Sequence, residues 1–584
     1  MRVNHRFTKK SFSWLLDKCI AGGYNDKCKF DFERICLFMT VGQKISILRT
    51  AAQMSQEQLA EKLDVSRQSV SKWESDQSVP EVGKILQLSS LFNVTTDDLL
   101  KDELPLAPNY TEPLFKPKES VVFNGKYFGT DGFRGEANVN LTAMHAYRIG
   151  RFLGWYYSSP LSGATPGHRT RIAIGKDTRR SSYMFEYAIV AGLTSSGADA
   201  YMLHVTTTPS VSYVVRQDNF DCGVMISASH NPYYDNGIKL VNCNGEKMDD
   251  YTLALIEDYI DGDVSKFDLD GDDLPLARRD KLGCIIDYVA GRNRYLGFLI
   301  SVAANSYRGV SVALDCANGS SWMLAKSVFD ALGASTHIIN AAPDGININE
   351  DAGSTHINNL RRYVKENHCD VGFAFDGDAD RCIAVDENGN IVNGDHIIFV
   401  IANRLRSRGL LPGNTVVTTI MSNMGLYRAL EDAGIDYIQT TVGDRYVHEA
   451  MQANDYYLGG EQSGHIIIRK YATTGDGILT AIILMEEILD RKSTLSKLAE
   501  PVKMFPQAIK NVPVTDKAAV AADERIQSLV AEISKELGNN GRILLRESGT
   551  EPLIRVMVES DNQKNCDTLT ARVADYIGEL GYAK

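Results

Sequence analysis

Several common features are missing from this sequence, and their absence narrows the range of functions. The ten cysteines do not occur at the paired spacings of metal sites, so reduced thiols in a cytoplasm are expected. No apolar run reaches membrane-spanning length, and residues 478–489, for instance, are interrupted by Glu486 and Glu487. The net charge of −12 argues against a general affinity for nucleic acid or anionic membranes.

What the sequence does contain is the composition of a globular chain. Its 584 residues, 44% hydrophobic and 23% charged, are sufficient for about five domains. Low-complexity tracts and obvious repeats are absent. The functional information therefore lies in short motifs.

Ser229 is the first residue with chemical potential. It follows the apolar residues 224–226 and precedes the turn-forming pair Asn231 and Pro232, which predicts a loop at the end of a buried strand. A serine hydroxyl is a poor nucleophile unless a base, a metal or a prior modification activates it. By itself, Ser229 is more simply interpreted as a polar turn residue.

Asp376, Asp378 and Asp380 alternate directly after the apolar residues 371–375. In an extended segment their carboxylates point to the same side. Carboxylates gathered in this way require a cation, and hard oxygen ligands suit Mg²⁺ or Ca²⁺.

An EF-hand calcium loop begins with the same alternation of aspartates. That interpretation fails because Arg381 stands at the sixth place, where the loop needs glycine, and because residues 382–385 read as another buried strand. The remaining alternative is a solvated acidic turn, of which residues 268–273 are an example.

Two further loops suit an oxygen-rich ligand. Residues 547–552 form a polar turn between two predicted strands, and Arg546 and Arg555 beside it are available to an oxyanion. Residues 459–465 are rich in glycine but lack the Gly-Lys-Ser/Thr ending of a nucleotide P-loop, so ATP binding is not supported. Their acid, hydroxyl and imidazole groups suit a polyhydroxylated ligand.

These motifs occur in the order of a known family. From about residue 121 to the C-terminus the sequence resembles the α-D-phosphohexomutases, most closely their bacterial phosphoglucosamine mutase branch. The matching stretches are residues 127–135, 227–239, 376–381, 441–447, 459–465 and 546–555. The resemblance implies an α/β protein with three related α/β domains and a C-terminal α+β domain around one cleft.

The resemblance also implies the reaction. Ser229 would be phosphorylated, and Mg²⁺ held by Asp376, Asp378 and Asp380 would also bind that phosphate, which makes Ser229 part of the metal site. The enzyme would be an isomerase that interconverts glucosamine 6-phosphate and glucosamine 1-phosphate through a sugar bisphosphate, for cell-wall precursor synthesis. A hexose 1,6-bisphosphate would prime it, and a homodimer is expected.

Other roles follow from the resemblance in the same way. Lys239 and His465 are the candidates for proton transfer, and His230 would position Ser229. Positive charge would come from Arg134, Lys239 and Arg179. Substrate binding would fall to Arg381, Glu461, Ser463, Arg546, Ser548, Gly549, Thr550 and Arg555.

Two positions depart from the family pattern. Glu547 stands where the family usually has proline, and a carboxylate that pointed into the phosphate loop would weaken anion binding. Ala352 replaces a common cysteine, a milder change that concerns packing.

Residues 41–103 have a different character. Apolar residues recur there at helical spacings, and Ser66 is predicted to be the N-cap of a helix over residues 67–74, with Trp73 in the core. This segment resembles a lambda-repressor-like helix-turn-helix domain, which implies that it could bind DNA. The residues expected to face DNA are Gln56, Arg67, Gln68, Ser69 and Lys72.

The charge of this segment limits that expectation. It is mildly acidic overall, so positive charge is confined to the expected reading face. One such domain would bind a half-site weakly, and useful affinity requires two copies at a fixed spacing, which a homodimer would supply.

The expected division of the chain has seven parts. They are residues 1–40, of uncertain structure; 41–103, helix-turn-helix; 104–120, a stiff proline-rich linker; 121–283, 284–392 and 393–504, the three α/β domains; and 505–584, the terminal domain. Because Met39 begins a typical helix-turn-helix start, translation is expected to begin there, with residues 1–38 unstructured.

Two alternative functions remain open. One is phosphoglucomutase or phosphomannomutase activity, because ring-hydroxyl contacts are shared among these sugars. The other is a transcription regulator whose mutase-like body senses a sugar phosphate, although a pure sensor needs no phosphorylatable serine beside a metal site.

Overall fold

The chain divides into two compact units, residues 1–121 and 122–584. The structure, a computed structural model, describes residues 40–51, 54, 56–63, 65–74, 78–92, 94, 96 and 99, and residues 125–583 apart from 166, 268, 270 and 549–551. The expectations for residues 1–38, for a start at Met39 and for the linker at 104–120 lie outside the described residues. No helix in the described parts is both long and apolar enough to cross a membrane.

The N-terminal unit is a small all-α domain. Its helices are α1 (Val41–Ala51), α2 (Gln56–Lys62), α3 (Arg67–Glu74) and α4 (Val82–Phe92). Their apolar faces form one core that includes Val70 and Trp73. Ser66 caps α3, because its Oγ accepts a hydrogen bond from the Ser69 N–H at 3.1 Å. The predicted cap, the predicted helix over residues 67–74 and the core position of Trp73 are confirmed.

The second unit begins with a mixed sheet of seven strands in the order β1-β2-β6-β5-β3-β4-β7. The strands are β1 (Phe128–Gly129), β2 (Gly132–Glu136), β3 (Arg171–Lys176), β4 (Asp199–Val205), β5 (Cys222–Ile226), β6 (Asp235–Asn242) and β7 (Ile285–Asp287). The helices are α5 (Ala143–Tyr156), α6 (Arg180–Ser195), α7 (Thr208–Gln217) and α8 (Asp250–Asp261). Strands β3, β4, β5 and β7 are parallel, and β6 runs antiparallel to β5.

A second sheet follows, with five strands in the order β12-β11-β10-β8-β9. Its elements are α9 (Val289–Val302), β8 (Ser311–Asp315), α10 (Leu324–Leu332), β9 (Ser335–Ile339), α11 (Asn358–Glu366), β10 (Val371–Phe375), β11 (Cys382–Val385) and β12 (Ile391–Val392). Strands β8, β9 and β10 are parallel, and β11 is antiparallel to β10. Every residue of β10 is buried, as expected for a strand covered on both faces.

The third sheet has four strands in the order β14-β13-β15-β16. Its elements are α12 (Gly394–Ser407), β13 (Thr415–Thr419), α13 (Met424–Ala433), β14 (Asp436–Thr440), α14 (Asp444–Ala453), β15 (Leu458–Gly460), β16 (Ile466–Ile468), α15 (Gly477–Arg491) and α16 (Leu495–Ala499). Strand β13 is parallel to β14 and β15, and β16 is antiparallel to β15.

The last sheet is antiparallel, with three strands in the order β17-β19-β18. Its elements are β17 (Gln507–Pro513), α17 (Lys517–Ala522), α18 (Glu524–Leu537), β18 (Gly541–Glu547), β19 (Leu553–Ser560) and α19 (Gln563–Glu579). Helices α18 and α19 pack on this sheet to form a separate α+β core. The predicted fold class, three α/β parts and a terminal α+β part preceded by helices, is confirmed.

One structural pattern recurs in the first three sheets. In each, a strand within the parallel part is followed directly by an antiparallel neighbour: β5 by β6, β10 by β11 and β15 by β16. The connecting loop therefore leaves the carboxyl end of a central strand, which is where ligands bind in open α/β sheets. The motifs around Ser229, Asp376 and Glu461 occupy these three equivalent loops.

Candidate active site

The site is built where these loops meet. We call residues 227–234 the serine loop, residues 376–381 the aspartate loop, residues 461–465 the glutamate loop and residues 548–552 the C-terminal loop. Although they are far apart in sequence, a hydrogen bond joins the serine loop to the aspartate loop, and an ion pair joins the aspartate loop to the glutamate loop. The C-terminal loop connects β18 to β19.

Ser229 lies at the centre of the serine loop in the left-handed region, with φ 52°. Its side chain is buried, and its Oγ donates a hydrogen bond to Asp376 Oδ2 of the aspartate loop. His230 Nδ1 lies 3.3 Å from the same Oγ. A hydroxyl with these neighbours is placed beside the acidic group that the sequence predicts.

The conformation of the serine loop is held by Arg179 and Asn349. The fully buried Arg179 side chain donates through Nη2 to the carbonyls of Ser229 and Asn231, both at 2.9 Å. Asn349 Nδ2 donates to the same two carbonyls at 2.9 and 3.0 Å. Through Nη1, Arg179 donates to the carbonyls of Pro232 and Asp235.

Asp177 also belongs to the hydrogen-bond network that holds the serine loop. Its carboxylate accepts hydrogen bonds from Arg179 Nε at 2.7 Å and from Ser227 Oγ at 2.8 Å. Ser227 Oγ in turn accepts from the Ser229 N–H at 3.0 Å. The Arg179 donors are thus directed at the loop backbone and Asp177, whereas the sequence suggested that Arg179 supplies charge to a phosphoryl group.

Asp376, Asp378 and Asp380 form a buried group with ligand oxygens within 4.8 Å of one another. Within the described residues, Asp378 Oδ1 and Asp380 Oδ1 have no hydrogen-bond partner. Burial, reinforced by the charges of Asp380 and Asp378, raises the pKa of Asp376 well above its usual value. Unsatisfied hard oxygen donors in such a cluster fit a divalent cation such as Mg²⁺.

Gly377 allows the two loops to approach each other. A β-carbon at this position would lie 2.6 Å from the Ser229 carbonyl oxygen, closer than non-bonded atoms allow. The aspartate loop therefore requires glycine between two of its acids.

Lys239 on β6 bridges several carboxylates. Its Nζ lies 2.8 Å from Asp378 Oδ2, 3.2 Å from Asp380 Oδ2 and 3.0 Å from Asp131 Oδ2. Burial alone would lower the pKa of Lys239, but the three carboxylate charges raise it well above its ordinary value. In this arrangement Lys239 is a protonated, positively charged group.

His465 of the glutamate loop also faces these acids. Its Nδ1 lies 3.7 Å from Asp380 Oδ1, and its Nε2 lies 3.5 Å from Asp444 Oδ2. Burial opposes the charged ring, but Asp380 and Asp444 raise the pKa of His465 to about 9. The Gly475 N–H, 3.0 Å from Nε2, favours instead a neutral ring that carries its hydrogen on Nδ1.

The pKa of His230 shifts in the opposite direction to that of His465. Burial, followed by the charges of Arg381 and Arg134, lowers the pKa of His230 to about 4. A neutral ring can exchange hydrogen-bond roles with the Ser229 hydroxyl. This placement agrees with the positioning role that the sequence suggested.

Arg134 and Arg381 lie at the edges of the site. Arg134 forms an ion pair with Asp131 and lies 3.3 Å, through Nη1, from Asn231 Oδ1 of the serine loop. Arg381 Nε lies 3.9 Å from Asp380 Oδ1. Both guanidinium groups have a buried Nε without a hydrogen-bond partner among the described residues.

In the glutamate loop, Glu461 and Gln462 point to different partners. Glu461 Oε1 accepts a hydrogen bond from the Gly443 N–H at 3.0 Å, and Ser463 is exposed with its Oγ 3.5 Å from Glu461 Oε2. Gln462 Nε2 donates to the buried Asp395 at 3.0 Å. Glu461 and Ser463 are thus accessible to a ligand, whereas Gln462 fixes the loop through its hydrogen bond to Asp395.

Arg546 and Arg555 stand directly opposite each other on β18 and β19. Burial, then the charge of Arg555, lowers the pKa of Arg546, as expected for two neighbouring cations. Ser548 is buried, whereas Gly549 and Thr550 lie outside the described residues. Glu547 is exposed, and strand alternation places it on the face opposite to Arg546.

A cavity of about 260 Å³ adjoins these charged groups. Its wall includes Asp131, Lys239, Asp380, Asp444 and His465. Lys247 links two of these acids, since its Nζ lies 3.1 Å from Asp131 Oδ1 and 2.7 Å from Asp444 Oδ1.

Sequence reasoning missed several residues that the structure brings to the site, namely Asp131, Asp177, Lys247, Asn349 and Asp444. Asp131 and Asp444 lie inside stretches that carried the family resemblance, and Asp177 directly follows the buried strand β3, so their positions were visible. Asn349 gave no local signal, because its contacts with the serine loop span 118 and 120 residues.

The five residues expected to face DNA divide into two groups. Arg67, Gln68 and Lys72 on α3 are exposed. Gln56 Nε2 donates to Glu74 Oε2 at 2.8 Å, and Ser69 Oγ lies 2.9 Å from Ser66 Oγ. Of the five, Arg67, Gln68 and Lys72 are the exposed ones on α3.

Family models match most of the second unit and part of the first. Those for phosphoglucomutase/phosphomannomutase alpha/beta/alpha domains I, II and III match residues 125–266, 289–389 and 393–505, and the C-terminal domain model matches residues 509–576. A helix-turn-helix model matches residues 45–99. The chain belongs to the phosphoglucomutase/phosphomannomutase family, with a helix-turn-helix domain before it.

Within that family, the chain is similar to phosphoglucosamine mutases. It is 58% identical to that of Lachnospira eligens over 459 residues, 79% of this chain and 100% of the relative. It is 46% identical to that of Bacillus subtilis over 458 residues, 78% of this chain and 99% of the relative.

Solved structures share the fold. A phosphoglucomutase/phosphomannomutase family protein from Burkholderia thailandensis has a TM-score of 0.64 at 22% identity, covering 78% of this chain and 98% of its own. The N-acetylphosphoglucosamine mutase of Aspergillus fumigatus, solved with GlcNAc-6P and magnesium, has a TM-score of 0.55 at 18% identity, covering 78% and 96%.

Proposed function

We propose that this protein is a phosphoglucosamine mutase, which interconverts glucosamine 6-phosphate and glucosamine 1-phosphate. The observation that carries the proposal is the hydrogen bond from Ser229 Oγ to Asp376, which joins the serine to the aspartate loop across 147 residues. The relatives that match this chain over 99–100% of their own length carry the name of this activity.

In the proposed cycle, the bond between phosphorus and Ser229 Oγ breaks as phosphorus bonds to the free sugar hydroxyl, which loses its proton. The resulting bisphosphate reorients, and its other phosphoryl group returns to Ser229 while the released sugar oxygen regains a proton. Since the serine must carry a phosphoryl group at the start, a hexose 1,6-bisphosphate would prime unphosphorylated enzyme.

The residues present fit the charges of this reaction. Asp376, Asp378 and Asp380, with the phosphate on Ser229, would hold Mg²⁺, which when bound supplies positive charge beside the phosphoryl oxygens. Arg134, paired with Asp131, lies 3.3 Å from Asn231 Oδ1 of the serine loop and would add positive charge there. In phosphoryl transfer, alignment and neutralisation of negative charge account for most of the catalysis.

Lys239 and His465 remain the candidates for proton transfer. Neighbouring carboxylates favour the charged form of Lys239, so Lys239 begins as a potential proton donor. A cation that neutralises those carboxylates would weaken this effect and bring the pKa of Lys239 closer to neutrality. His465, whose Nε2 accepts the Gly475 N–H, would in its neutral form take the proton that the sugar hydroxyl loses.

Binding of the sugar and of the second phosphate falls to the remaining loops. Glu461 and Ser463 would accept and donate hydrogen bonds to ring hydroxyls shared by both orientations. The paired Arg546 and Arg555, with Ser548, Gly549 and Thr550, would hold the phosphate that is not reacting, and Arg381 would contact the substrate beside the aspartate loop.

A substrate comparison tests this proposal. Purified enzyme with Mg²⁺ and a catalytic amount of glucose 1,6-bisphosphate should convert glucosamine 6-phosphate faster than glucose or mannose phosphates. A preference for glucose or mannose would replace the proposed specificity with phosphoglucomutase or phosphomannomutase activity. EDTA should abolish turnover, and Mg²⁺ should restore it.

Ser229→Ala supplies the matched variant. It should remove turnover while leaving sugar-phosphate binding intact, and mass spectrometry should find phosphate on Ser229 of the wild-type protein. Substantial turnover by Ser229→Ala would mean that another residue carries the phosphoryl group.

We also propose that the N-terminal unit binds DNA, with a homodimer supplying two copies. The exposed Arg67, Gln68 and Lys72 on α3 favour this second function. Full-length protein should shift genomic DNA fragments in a salt-dependent manner, and Arg67→Ala should weaken the shift. Equal shifts from the wild type and Arg67→Ala, or a monomer by analytical ultracentrifugation, would count against it.

A further inference from the structure

A buried hydrogen-bond chain begins directly behind the glutamate loop. Asp395, near the start of α12, is fully buried, and its Oδ2 accepts hydrogen bonds from Gln462 Nε2 at 3.0 Å and from the Asn423 N–H at 2.8 Å. Within the described residues Asp395 has no ion-pair partner. Burial raises the pKa of Asp395 to about 6. The carboxylate therefore occupies an unfavourable environment for a charge, supported mainly by these hydrogen bonds.

The backbone at Gly394 is also in close contact with the backbone of the glutamate loop. The Gly394 N–H donates to the Gln462 carbonyl at 3.0 Å, and a β-carbon on Gly394 would lie 2.0 Å from the Glu461 carbonyl oxygen. Residues 394 and 395 thus form the platform on which the glutamate loop rests.

Asn423 carries the chain onward to the C-terminal domain. Its Nδ2 donates to Glu559 Oε1 and to the Phe505 carbonyl, both at 3.0 Å, and its Oδ1 accepts from the Phe505 N–H at 2.8 Å. Phe505 lies in the segment between α16 and β17. Asn423 therefore binds both the connection and the domain that follows it.

Glu559, which accepts the hydrogen bond from Asn423, lies on β19 opposite Arg542 on β18. The same two strands carry Arg546 and Arg555. Arg542 Nε donates to Glu559 Oε2 at 2.6 Å, and the two residues are directly opposite on β18 and β19. Arg546 and Arg555 are the opposite pair four residues further along. Because side chains alternate and each residue advances about 3.4 Å, the two pairs share one face about 14 Å apart.

We propose that Asp395 is a positioning residue that couples the glutamate loop to the C-terminal domain. Asp395 binds both Gln462 and Asn423, and Asn423 binds Glu559. The glutamate loop, which would bind the sugar ring, is thereby kept at a fixed distance from Arg546 and Arg555, which would bind the second phosphate. This inference rests on the proposed mutase function. The coupling matters in that reaction because one cleft must align the substrate in two orientations.

A double-mutant cycle between the two ends tests the coupling. Gln462→Met removes the donor to Asp395, and Glu559→Met removes the acceptor for Asn423 Nδ2, so each should lower kcat/KM for glucosamine 6-phosphate about tenfold. If the ends are coupled, the double variant should also lose about tenfold, because the chain is already broken. A loss of about a hundredfold would mean that the ends act independently and would overturn the coupling.

Asp395 itself is tested by a pair of variants. Asp395→Leu should raise KM about tenfold while the Mg²⁺ concentration for half-maximal activity stays unchanged, and Asp395→Asn, which keeps an acceptor oxygen, should restore most of the loss. The exposed Asp432→Asn in the same domain is the control for loss of charge and should match the wild type. Unchanged KM in both Asp395 variants, with activity falling only as the folded fraction falls, would reduce Asp395 to a structural residue.

A failure of the proposed mutase function can be distinguished from a failure of the coupling. Wild-type protein that converts no glucosamine phosphate would overturn the mutase assignment, and the cycle would then be measured by calorimetry as the affinity for glucosamine 6-phosphate. Additive losses in either readout would overturn the coupling alone.

Discussion

Replacement of Arg179 by lysine tests whether the hydrogen bonds that Arg179 donates to the serine loop are needed for catalysis. Lysine keeps the positive charge, but its three donors radiate from one nitrogen, whereas Arg179 reaches four loop carbonyls and Asp177 at once. At least two of these acceptors therefore lose their partner. Each buried polar group left unsatisfied costs about 1–3 kcal/mol, so Arg179→Lys should lower the free energy of unfolding by about 2–6 kcal/mol.

The kinetic effect should exceed what this loss of stability explains. Asn349 still holds the carbonyls of Ser229 and Asn231, so the fold of the loop persists with a shifted backbone. A misplacement of about 1 Å at a reacting centre costs on the order of a hundredfold in rate, and we expect kcat to fall by about that factor. The KM for the sugar phosphate should change by less than about threefold, because the Arg179 donors are directed at backbone carbonyls and Asp177.

The assay combines urea unfolding with steady-state turnover of glucosamine 6-phosphate at a temperature where the variant is fully folded. Arg180→Lys, an exposed neighbour, is the matched control and should behave like the wild type. A KM that rises sharply while kcat is preserved would show that Arg179 binds the substrate phosphate and would refute the loop-support reasoning.

Three further predictions concern other parts of the chain. Gly377→Ala should reduce kcat on the order of a hundredfold, measured by the same turnover assay, because its β-carbon would collide with the carbonyl of Ser229. Glu547→Gln should change KM by less than about twofold, since the side chain is exposed on the face away from the arginine pair; a larger fall in KM would place its charge in the phosphate site. In the N-terminal unit, Trp73→Ala should lower unfolding stability by about 3–5 kcal/mol in circular-dichroism melts, whereas Arg67→Ala should change it by less than about 0.5 kcal/mol; comparable effects would contradict their assignment to core and surface.

Local order explains how much the sequence revealed. The apolar residues 371–375 followed by alternating aspartates predicted a strand that ends in a cation-binding loop, and both the strand and the acidic cluster are found. The helix over residues 67–74 and its cap at Ser66 were equally visible, because helical spacing and capping depend on neighbours a few residues apart. Glu547 shows the limit of such reasoning, since only the register of β18 decided that it faces away from Arg546.

By itself, the sequence determined which groups are available and which short loops carry them. The tertiary structure alone decided that β5, β10 and β15 each end in an equivalent turn, so that their loops converge. It also decided that Arg179 and Asn349 donate to the backbone of the serine loop, and that Asp395 accepts a hydrogen bond from Gln462 of the glutamate loop. The physical reason is that hydrogen bonds and charges act over a few ångströms in space, and the chain brings residues more than a hundred positions apart within that distance only after its sheets have packed.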